Sequence, residues 1–436
     1  GPVMTESPMI KYMRQIARFR WPVIFLVFAF TGFFVSQLQH VTVRTDYKVF
    51  FGPDNPELLT LEALEDTYTN ADYFLIAVHT QDGDLFNARH LQAIVDLTEE
   101  GWQAPYSIRV DSLSNFQHTT TDEDDLYIAD LIEEPTNYSP ADLTAIKAVA
   151  LNEPSLVHRL VSDDGKTAGV MVTLHFPEGD NEDYSPEVAK FSADLVEKFA
   201  RAYPDLVFAR TGMTLFEYAM FEVMQKDMAK LVPVMLSLIA VIIFTTLRSI
   251  SATVITLVML IMAAVSSAGV AAWIGIVFTS PVTMSPLMVL TLALANSMHI
   301  LVAALQSMQQ GKDKQAAITE SLAVKFKPVL VTTITTIIGF SSLNFSEAPP
   351  LGAMGTVAAC GILIAWMFSM TFLPAAWLVM PFGGQALAKD RQWYLEKTAD
   401  FVIGNSKACI WFIGLSALIL IALIPTNEFG DTFNEY

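Results

Sequence analysis

The chain has 436 residues, 53% of them hydrophobic, and its mean hydropathy is +0.42. A soluble domain rarely reaches that mean, and here the apolar residues form long runs, so the sequence predicts an integral membrane protein. The formal net charge of −19 is unevenly placed, because residues 40–228 carry 35 Asp and Glu against 12 Lys and Arg. So acidic a segment argues against nucleic acid or an anionic membrane surface as its partner.

The first apolar run is interpreted as a membrane anchor. Residues 1–3 precede Met4 and look like the remnant of a removed tag, so we leave them out of the interpretation. Basic residues then precede an apolar run from Trp21 to about Leu38, and no small-residue cleavage site follows it. Residues 4–39 are therefore predicted to be a cytoplasmic N-terminus and the first transmembrane helix.

Residues 40–228 are predicted to form a large domain outside the cytoplasm. Its apolar periodicity indicates the following elements: strands at 73–79, 108–113 and 206–210, helices at 55–69, 85–101 and 187–202, a hairpin with strands at 156–161 and 169–175, and an acidic loop at 119–125. Strands interleaved with helices predict an α+β sandwich. We expect the acidic runs to be solvated faces, because no ligand spacing such as an EF-hand loop occurs.

Six further apolar runs predict six more spans, which makes about seven in all. They lie at about 231–247, 252–277, 284–308, 328–344, 351–380 and 408–424. Lysines cluster in the loops at 309–327 and 381–407, so these loops are predicted to be cytoplasmic. Residues 229–380 would then be a bundle of spans two to six and 381–407 a cytoplasmic linker, with an amphipathic helix at 313–326 lying at the membrane interface.

The fourth predicted span carries polar residues at its middle. Asn296, Ser297 and His299 lie at a depth where polarity is most costly, and Asn296 and His299 are spaced to share one helix face. They predict either a functional site inside the bundle or hydrogen bonds that hold helices together. The predicted fifth span offers polar partners that either complete this centre or bond to their own helix backbone, namely Thr332, Thr333, Thr335 and Thr336.

The end of the chain repeats its beginning. Residues 405–436 follow the pattern of 18–50: a basic flank, an apolar span, and a polar turn into an aromatic and acidic stretch. Six spans separate the two copies, so both begin on the same side, as in parallel repeats. We therefore expect 408–436 to be the seventh span and the start of a second repeat, and the chain to be half of a larger transporter.

The layout and motifs resemble the resistance–nodulation–division superfamily, specifically the MMPL-type exporters of bacterial inner membranes. The resemblance rests mainly on Ala-Asn-Ser-Met-His-Ile-Leu at 295–301, followed by the segments 317–323 and 327–343 and by Phe-Leu-Pro-Ala-Ala at 372–376. It implies a multi-pass inner-membrane protein with a ferredoxin-like, porter-type domain in the periplasm. It also implies export of hydrophobic, amphipathic or lipid-like molecules, driven by a proton gradient.

One residue departs from the family pattern. The family usually carries an aspartate where this chain has Asn296, and an asparagine cannot titrate. His299 is then the only titratable candidate at the middle of spans two to six. Three explanations are open. In the first, the proton relay of this half is naturally inactive and the other half couples proton flow to transport. In the second, the substitution was introduced to trap one state. In the third, His299 alone carries protons.

We expect a proton-driven exporter, not an enzyme, and no cofactor. The alternative is a non-pumping membrane scaffold or sensor that binds a sterol-like lipid or a partner protein, and a third interpretation is an auxiliary component of protein translocation. The expected partners are a lipid-like substrate, membrane lipids, a second repeat or another protomer, and a periplasmic protein. Cys360 and Cys409 both lie in apolar runs, so neither a disulfide framework nor a thiolate metal site is predicted.

Overall fold

A computed structural model describes residues 8–44, 46–68, 72–81, 83–122, 125–177, 183–381 and 389–427. Within these ranges seven helices are long and apolar enough to cross a membrane, which agrees with the predicted number. The protein is therefore a mostly helical membrane protein that also contains a small sheet region.

Two helices precede the sheet region. Helix α1 (Pro8–Arg18) and helix α2 (Arg20–Gln37) are separated only by Phe19. Helix α1 is amphipathic: Met13 and Ile16 are buried, while Lys11 and Arg14 are exposed. Its apolar face therefore lies against the helix bundle, and its charged face points away from it.

The soluble part of the chain alternates strands and helices. In chain order they are α3 (Pro56–Tyr68), β1 (Tyr73–Thr80), α4 (Ala88–Gly101), β2 (Ser107–Ser112), β3 (Gln117–Asp122), β4 (Asp125–Asp130), α5 (Pro140–Asn152), β5 (Thr167–Leu174), α6 (Ser185–Ala202) and β6 (Leu206–Thr211). Local sequence explains several of the boundaries. The Asn87 side chain accepts a hydrogen bond from the backbone of His90 at the start of α4, and Ser139 and Asp142 form a capping box at the start of α5.

Four strands form one antiparallel sheet in the order β2-β5-β1-β6, and β3 and β4 form a separate hairpin. Alternate residues of β1, such as Phe74, Ile76 and Val78, are buried together with apolar residues of α4 and α6. The two helices therefore cover one face of the sheet. The sheet and its two helices follow the order β-α-β-β-α-β, and residues 113–166 are inserted between β2 and β5.

Two local predictions in this domain were wrong. The expected acidic loop at 119–125 is instead mostly the hairpin of β3 and β4, because the β-branched Thr119-Thr-Thr run favours a strand despite the acids beside it. The expected strand at 156–161 is a series of turns with two isolated bridges. Pro154 precedes this segment and His158 has φ +62°, and neither feature suits a regular strand.

Helix α7 (Met213–Leu247) joins the domain to the membrane without a break. Leu215 belongs to the core of the soluble domain and Tyr218 packs against it, whereas Ile239 and Ile243 belong to the core of the bundle. Thirty-five residues of helix extend about 52 Å, which is more than the ~30 Å hydrocarbon core of a bilayer. The first half of α7 therefore lies outside the membrane, and the apolar residues after Lys230 make the second span.

The remaining helices complete the bundle. They are α8 (Ile250–Trp273), α9 (Ser280–Gln309), α10 (Lys314–Ser341), α11 (Pro349–Met370), α12 (Phe372–Val379), α13 (Lys389–Gly404) and α14 (Ser406–Leu423). Helix α8 packs against α2, α9 and α11 and is the most enclosed of the first four spans. The backbones of α2 and α8 approach closely, because a Cβ added at Gly269 would lie 2.2 Å from the carbonyl oxygen of Phe34.

The predicted interfacial helix at 313–326 is not a separate element. It is continuous with the fifth span as α10, and Pro328 lies within this helix. Ile318 and Leu322 are fully buried in the bundle core, and the Ser321 hydroxyl donates to the carbonyl oxygen of Ile300 at 2.5 Å. The apolar stripe that suggested a membrane surface therefore packs against α9.

The two ends of the chain share a local pattern, as the repeat prediction requires. Helices α2 and α14 each have 18 residues, each follows another helix after a single residue, and each runs directly into a 3₁₀ turn, at Leu38–His40 and Ile424–Thr426. No residue of helix α14 is buried. The rest of the predicted second copy, residues 428–436, lies outside the described residues.

Candidate functional site

The polar centre of the bundle is built around Asn296. Its side chain is only 6% exposed, and its amide Nδ2 lies 3.5 Å from Oγ1 of Thr333 on α10. This distance is at the long end for a hydrogen bond, so the pair is a weak polar contact. Asn296 thus lies inside the bundle and against the fifth span, as the sequence predicted. Its role in a relay stays a prediction.

The Ser297 side chain contacts the sulfur atom of Met259 at this centre. Its hydroxyl donates to the carbonyl oxygen of Ala293 at 2.8 Å and lies 4.0 Å from Sδ of Met259 on α8. The hydroxyl of Ser369 on α11 approaches the same sulfur at 3.8 Å. Neither Met259 nor Ser369 could be predicted from the sequence, because a single serine or methionine in an apolar run carries no distinctive signal. Four helices therefore meet at this centre.

His299 does not share the buried position of Asn296 in this chain, and its part in a polar centre stays a prediction. Its side chain is exposed, and so are Thr291 and Ala295, which precede it on α9 at four-residue spacing. Residues spaced by four lie along one edge of a helix. His299 continues this exposed edge, whereas Asn296 points between α9 and α10. Within the described residues, the imidazole forms no hydrogen bond.

The four threonines of α10 separate into two groups. Thr333 is buried and faces Asn296. The other three donate hydrogen bonds to carbonyl oxygens of their own helix: Thr332 to Pro328, Thr335 to Val331, and Thr336 to Thr332. Both outcomes left open by the sequence therefore occur, and only Thr333 contributes to the polar centre.

The chemistry of this centre follows from its groups. Amide, hydroxyl and thioether groups exchange hydrogen bonds, but none of them takes up or releases a proton near neutral pH. Helices α8, α9, α11 and α12 contain no Asp, Glu, Lys or Arg, and the charged residues of α10 are confined to its first half. Within the described chain, the centre is therefore a hydrogen-bonding junction between helices.

A second polar cluster lies where the soluble domain meets the start of α7. It surrounds a cavity of about 260 Å³ and contains Asp46, Lys48, Glu65, Asp72, Asp183 and Glu217. The ammonium of Lys48 lies 2.5 Å from Oε2 of Glu65, while Oε1 of the same carboxylate is buried without a hydrogen-bond partner. Glu65 is therefore an enclosed carboxylate and does not belong to a solvated acidic face.

Burial also changes the titration of this junction. Burial, followed by the negative charges of Asp72, Asp46 and Asp183, raises the pKa of Glu217 to about 7. Burial likewise raises the pKa of Asp72 above its usual range. These carboxyls come from segments far apart in sequence, so no local motif could have revealed them. No group of three or more His, Cys, Asp or Glu in the described ranges is arranged to hold a metal ion.

These features define a class of protein. It is a polytopic membrane protein with a β-α-β-β-α-β domain between its first two spans and a buried polar centre in its fourth. The chain belongs to the MMPL family, whose model matches residues 71–402 and so includes most of the soluble domain and spans two to six. The family resemblance drawn from the motifs is thereby confirmed.

A curated relative supports the membrane assignment. The chain is 19% identical over 355 residues to the membrane protein MJ1562 of Methanocaldococcus jannaschii, and the match covers 81% of this chain and 88% of the relative. The similarity therefore extends over nearly the whole length of both proteins.

Proposed function

We propose that this chain is one repeat of an exporter that moves hydrophobic, amphipathic or lipid-like molecules across the bacterial inner membrane. The observation that carries the proposal is the MMPL family match, because it covers most of the soluble domain together with spans two to six. Helix α7 supports it further, since it is one continuous helix that runs from the soluble domain into the bundle. It would couple a movement of the domain to the bundle.

The proposal places the soluble domain in the periplasm as a ferredoxin-like porter domain. The order β-α-β-β-α-β with strand order β2-β5-β1-β6 supports the ferredoxin-like assignment. The basic residues of 309–327 and 381–407 support a cytoplasmic location for those loops. A parallel bridge between Val43 and Phe278 supports the same topology, because it joins the end of the first span to the turn between α8 and α9.

We propose that the proton motive force drives the export and that the titratable group comes from outside this polar centre. Asn296 and the hydroxyl and thioether groups that surround it in the polar centre carry no titratable group, so a second repeat or another protomer would supply it. The exposed edge formed by Thr291, Ala295 and His299 is the surface of α9 that such a partner would cover. Asn296 and Thr333 would then transmit the movement of α9 to α10.

The experiment measures substrate efflux from proteoliposomes with an imposed pH gradient, using the protein together with its second repeat. Asn296→Asp should keep or raise gradient-dependent efflux, because a buried carboxyl has a pKa nearer neutrality. Asn296→Leu and Thr333→Val should lower it by removing the α9–α10 contact. Thr335→Val is the matched control, since Thr335 bonds only to its own helix.

The outcomes separate the proposed routes. Equal gradient dependence in every variant would mean that Asn296 takes no part in coupling. Loss of gradient dependence in His299→Phe, with Asn296→Leu unchanged, would move the proton route to His299. Absence of gradient-dependent efflux from the unaltered protein would overturn the exporter proposal itself.

A second candidate function is a non-pumping sensor or scaffold that binds a sterol-like lipid or a partner protein. The observation in its favour is that the buried centre around Asn296 contains no titratable side chain within the described residues. Saturable lipid binding that is insensitive to the pH gradient, without efflux, would favour the sensor. Gradient-dependent efflux would reject it.

A further inference from the structure

One face of the four-stranded sheet carries a cavity. Helices α4 and α6 cover the opposite face, so the alternate residues Tyr73, Leu75, Arg109 and Met171 point away from them. These residues come from β1, β2 and β5, which are neighbours in the sheet. Strand pairing places Leu75 opposite Met171 and thereby creates an apolar floor.

The inserted segment between β2 and β5 supplies the walls. Phe116 and Gln117 line the cavity at the start of the β3–β4 hairpin. The turns after α5 contribute Ser155, Leu156, Arg159 and Leu160. The backbone N–H of Gly169 on β5 donates to the carbonyl oxygen of Leu160 at 2.8 Å, which fixes these turns to the sheet. Trp102 stands at the cavity and is 48% exposed.

The cavity has the size and lining of a ligand site. Its volume is about 680 Å³, within the ~300–1,000 Å³ typical of small-molecule pockets. Its lining is mixed: Leu75, Leu156, Leu160 and Met171 lie beside polar side chains such as Asn115 and Gln117. The apolar part suits a hydrocarbon body, because burying it removes apolar surface from water.

The charged residues that line the cavity favour a negatively charged ligand. Arg109 and Arg159 line it together with a single carboxylate, Asp111. Asp111 pairs with the guanidinium of Arg109 at 2.8 Å, whereas the exposed Arg159 forms no ion pair within the described residues. The lining is thus net positive in a segment where acids outnumber bases by 35 to 12. The guanidinium of Arg159 has the planar geometry that binds a carboxylate or phosphate through two hydrogen bonds.

We propose that this cavity binds an amphipathic anion with a long hydrocarbon chain, such as a fatty acid. Arg159 holds the acidic head and Arg109 assists it, while Leu75, Leu160 and Met171 contact the chain. The identification of this ligand as a transport substrate rests on the proposed export function. The binding itself needs neither a gradient nor a second repeat.

The test is a fluorescence titration of the full chain in lipid nanodiscs, corrected against empty nanodiscs. The probe is 11-(dansylamino)undecanoic acid, and the competitors are dodecanoate and dodecanol. Dodecanoate should displace the probe, and dodecanol should do so poorly. Arg159→Gln should raise the Kd of the probe at least tenfold, because a hydrogen-bonded charge contributes about that much. Lys166→Gln, which removes an exposed charge of the same domain outside the cavity, should leave the Kd unchanged.

Two further measurements keep the result interpretable. Arg159→Lys keeps the charge but loses the planar head, so its Kd should lie between those of the unaltered chain and Arg159→Gln. A diazirine-bearing palmitic acid should label peptides of residues 102–117 or 155–171. Equal Kd values in all variants, equal displacement by dodecanol, or labelling confined to the spans would overturn the proposal. Binding as expected without gradient-dependent efflux would instead overturn only the export function.

Discussion

The raised pKa of Glu217 makes the stability of the junction depend on pH, and Glu217→Gln tests this. The pKa of Glu217 is about 7 in the folded protein against an ordinary value of 4.5. Between these values the folded protein holds a proton that the unfolded chain has released. The stabilising contribution is therefore complete below pH 4.5 and is lost as the pH rises to about 7.

The size of the effect follows from the shift. Each pKa unit corresponds to about 1.4 kcal/mol, so a shift from 4.5 to about 7 sets a ceiling of about 3–4 kcal/mol. Glu217 is partly exposed, and solvent reduces this figure to about 1–2 kcal/mol. A glutamine has nearly the same shape but no charge, so Glu217→Gln should stabilise the protein by this amount at pH 8 and have little effect at pH 4.5.

The assay compares thermal unfolding of the two proteins at pH 4.5 and pH 8 by intrinsic fluorescence. Glu222→Gln is the matched control, because Glu222 lies on the same helix but is exposed and paired with Lys226. Asp72→Asn should act in the same direction, since Asp72 is the negative charge that raises the pKa of Glu217 most. The burial argument would be refuted if Glu217→Gln raised the unfolding temperature over that of the unaltered chain no more at pH 8 than at pH 4.5.

Two other changes test helix packing and topology. Gly269→Ala introduces a Cβ 2.2 Å from the carbonyl oxygen of Phe34 and should lower the free energy of unfolding by about 1–3 kcal/mol. The control Gly414→Ala has no atom within 4 Å of the added Cβ and should leave the free energy of unfolding unchanged or slightly higher. Equal unfolding midpoints for the two variants would contradict the close approach of α2 and α8. In a cysteine-free background, an impermeant maleimide added to intact cells should label Asp163→Cys but not Lys312→Cys, and the opposite pattern would overturn the proposed topology.

Patterns with one repeating period were readable from the sequence. The alternation from Tyr73 onwards predicted β1, because a strand with one buried face has an apolar residue at every second position. The apolar runs predicted all seven spans, because a helix that crosses a membrane needs an apolar run of a minimum length. Asn296 was also identified correctly as an interior residue, since an amide in a span needs a polar partner. The sequence offered four threonines of the fifth span as partners, and the structure places Thr333 beside Asn296.

Features that depend on neighbouring segments were decided by the tertiary structure. His299 fits the same helical face as Asn296 by spacing, yet only the packing of α9 against α10 determines which of the two is enclosed. The apolar stripe around Ile318 suits a membrane surface and a helix interface equally well, because both are apolar.

The sequence by itself determined that this protein crosses the membrane several times, carries an acidic α+β domain and has a polar residue at the middle of its fourth span. Only the tertiary structure brought Glu217 beside Asp72 and folded residues 155–160 over the sheet to form the cavity beside Arg109. The physical reason is that charge, length and periodicity are properties of a single segment. The burial of a carboxylate and the enclosure of a cavity are properties of segments that meet only in the folded chain.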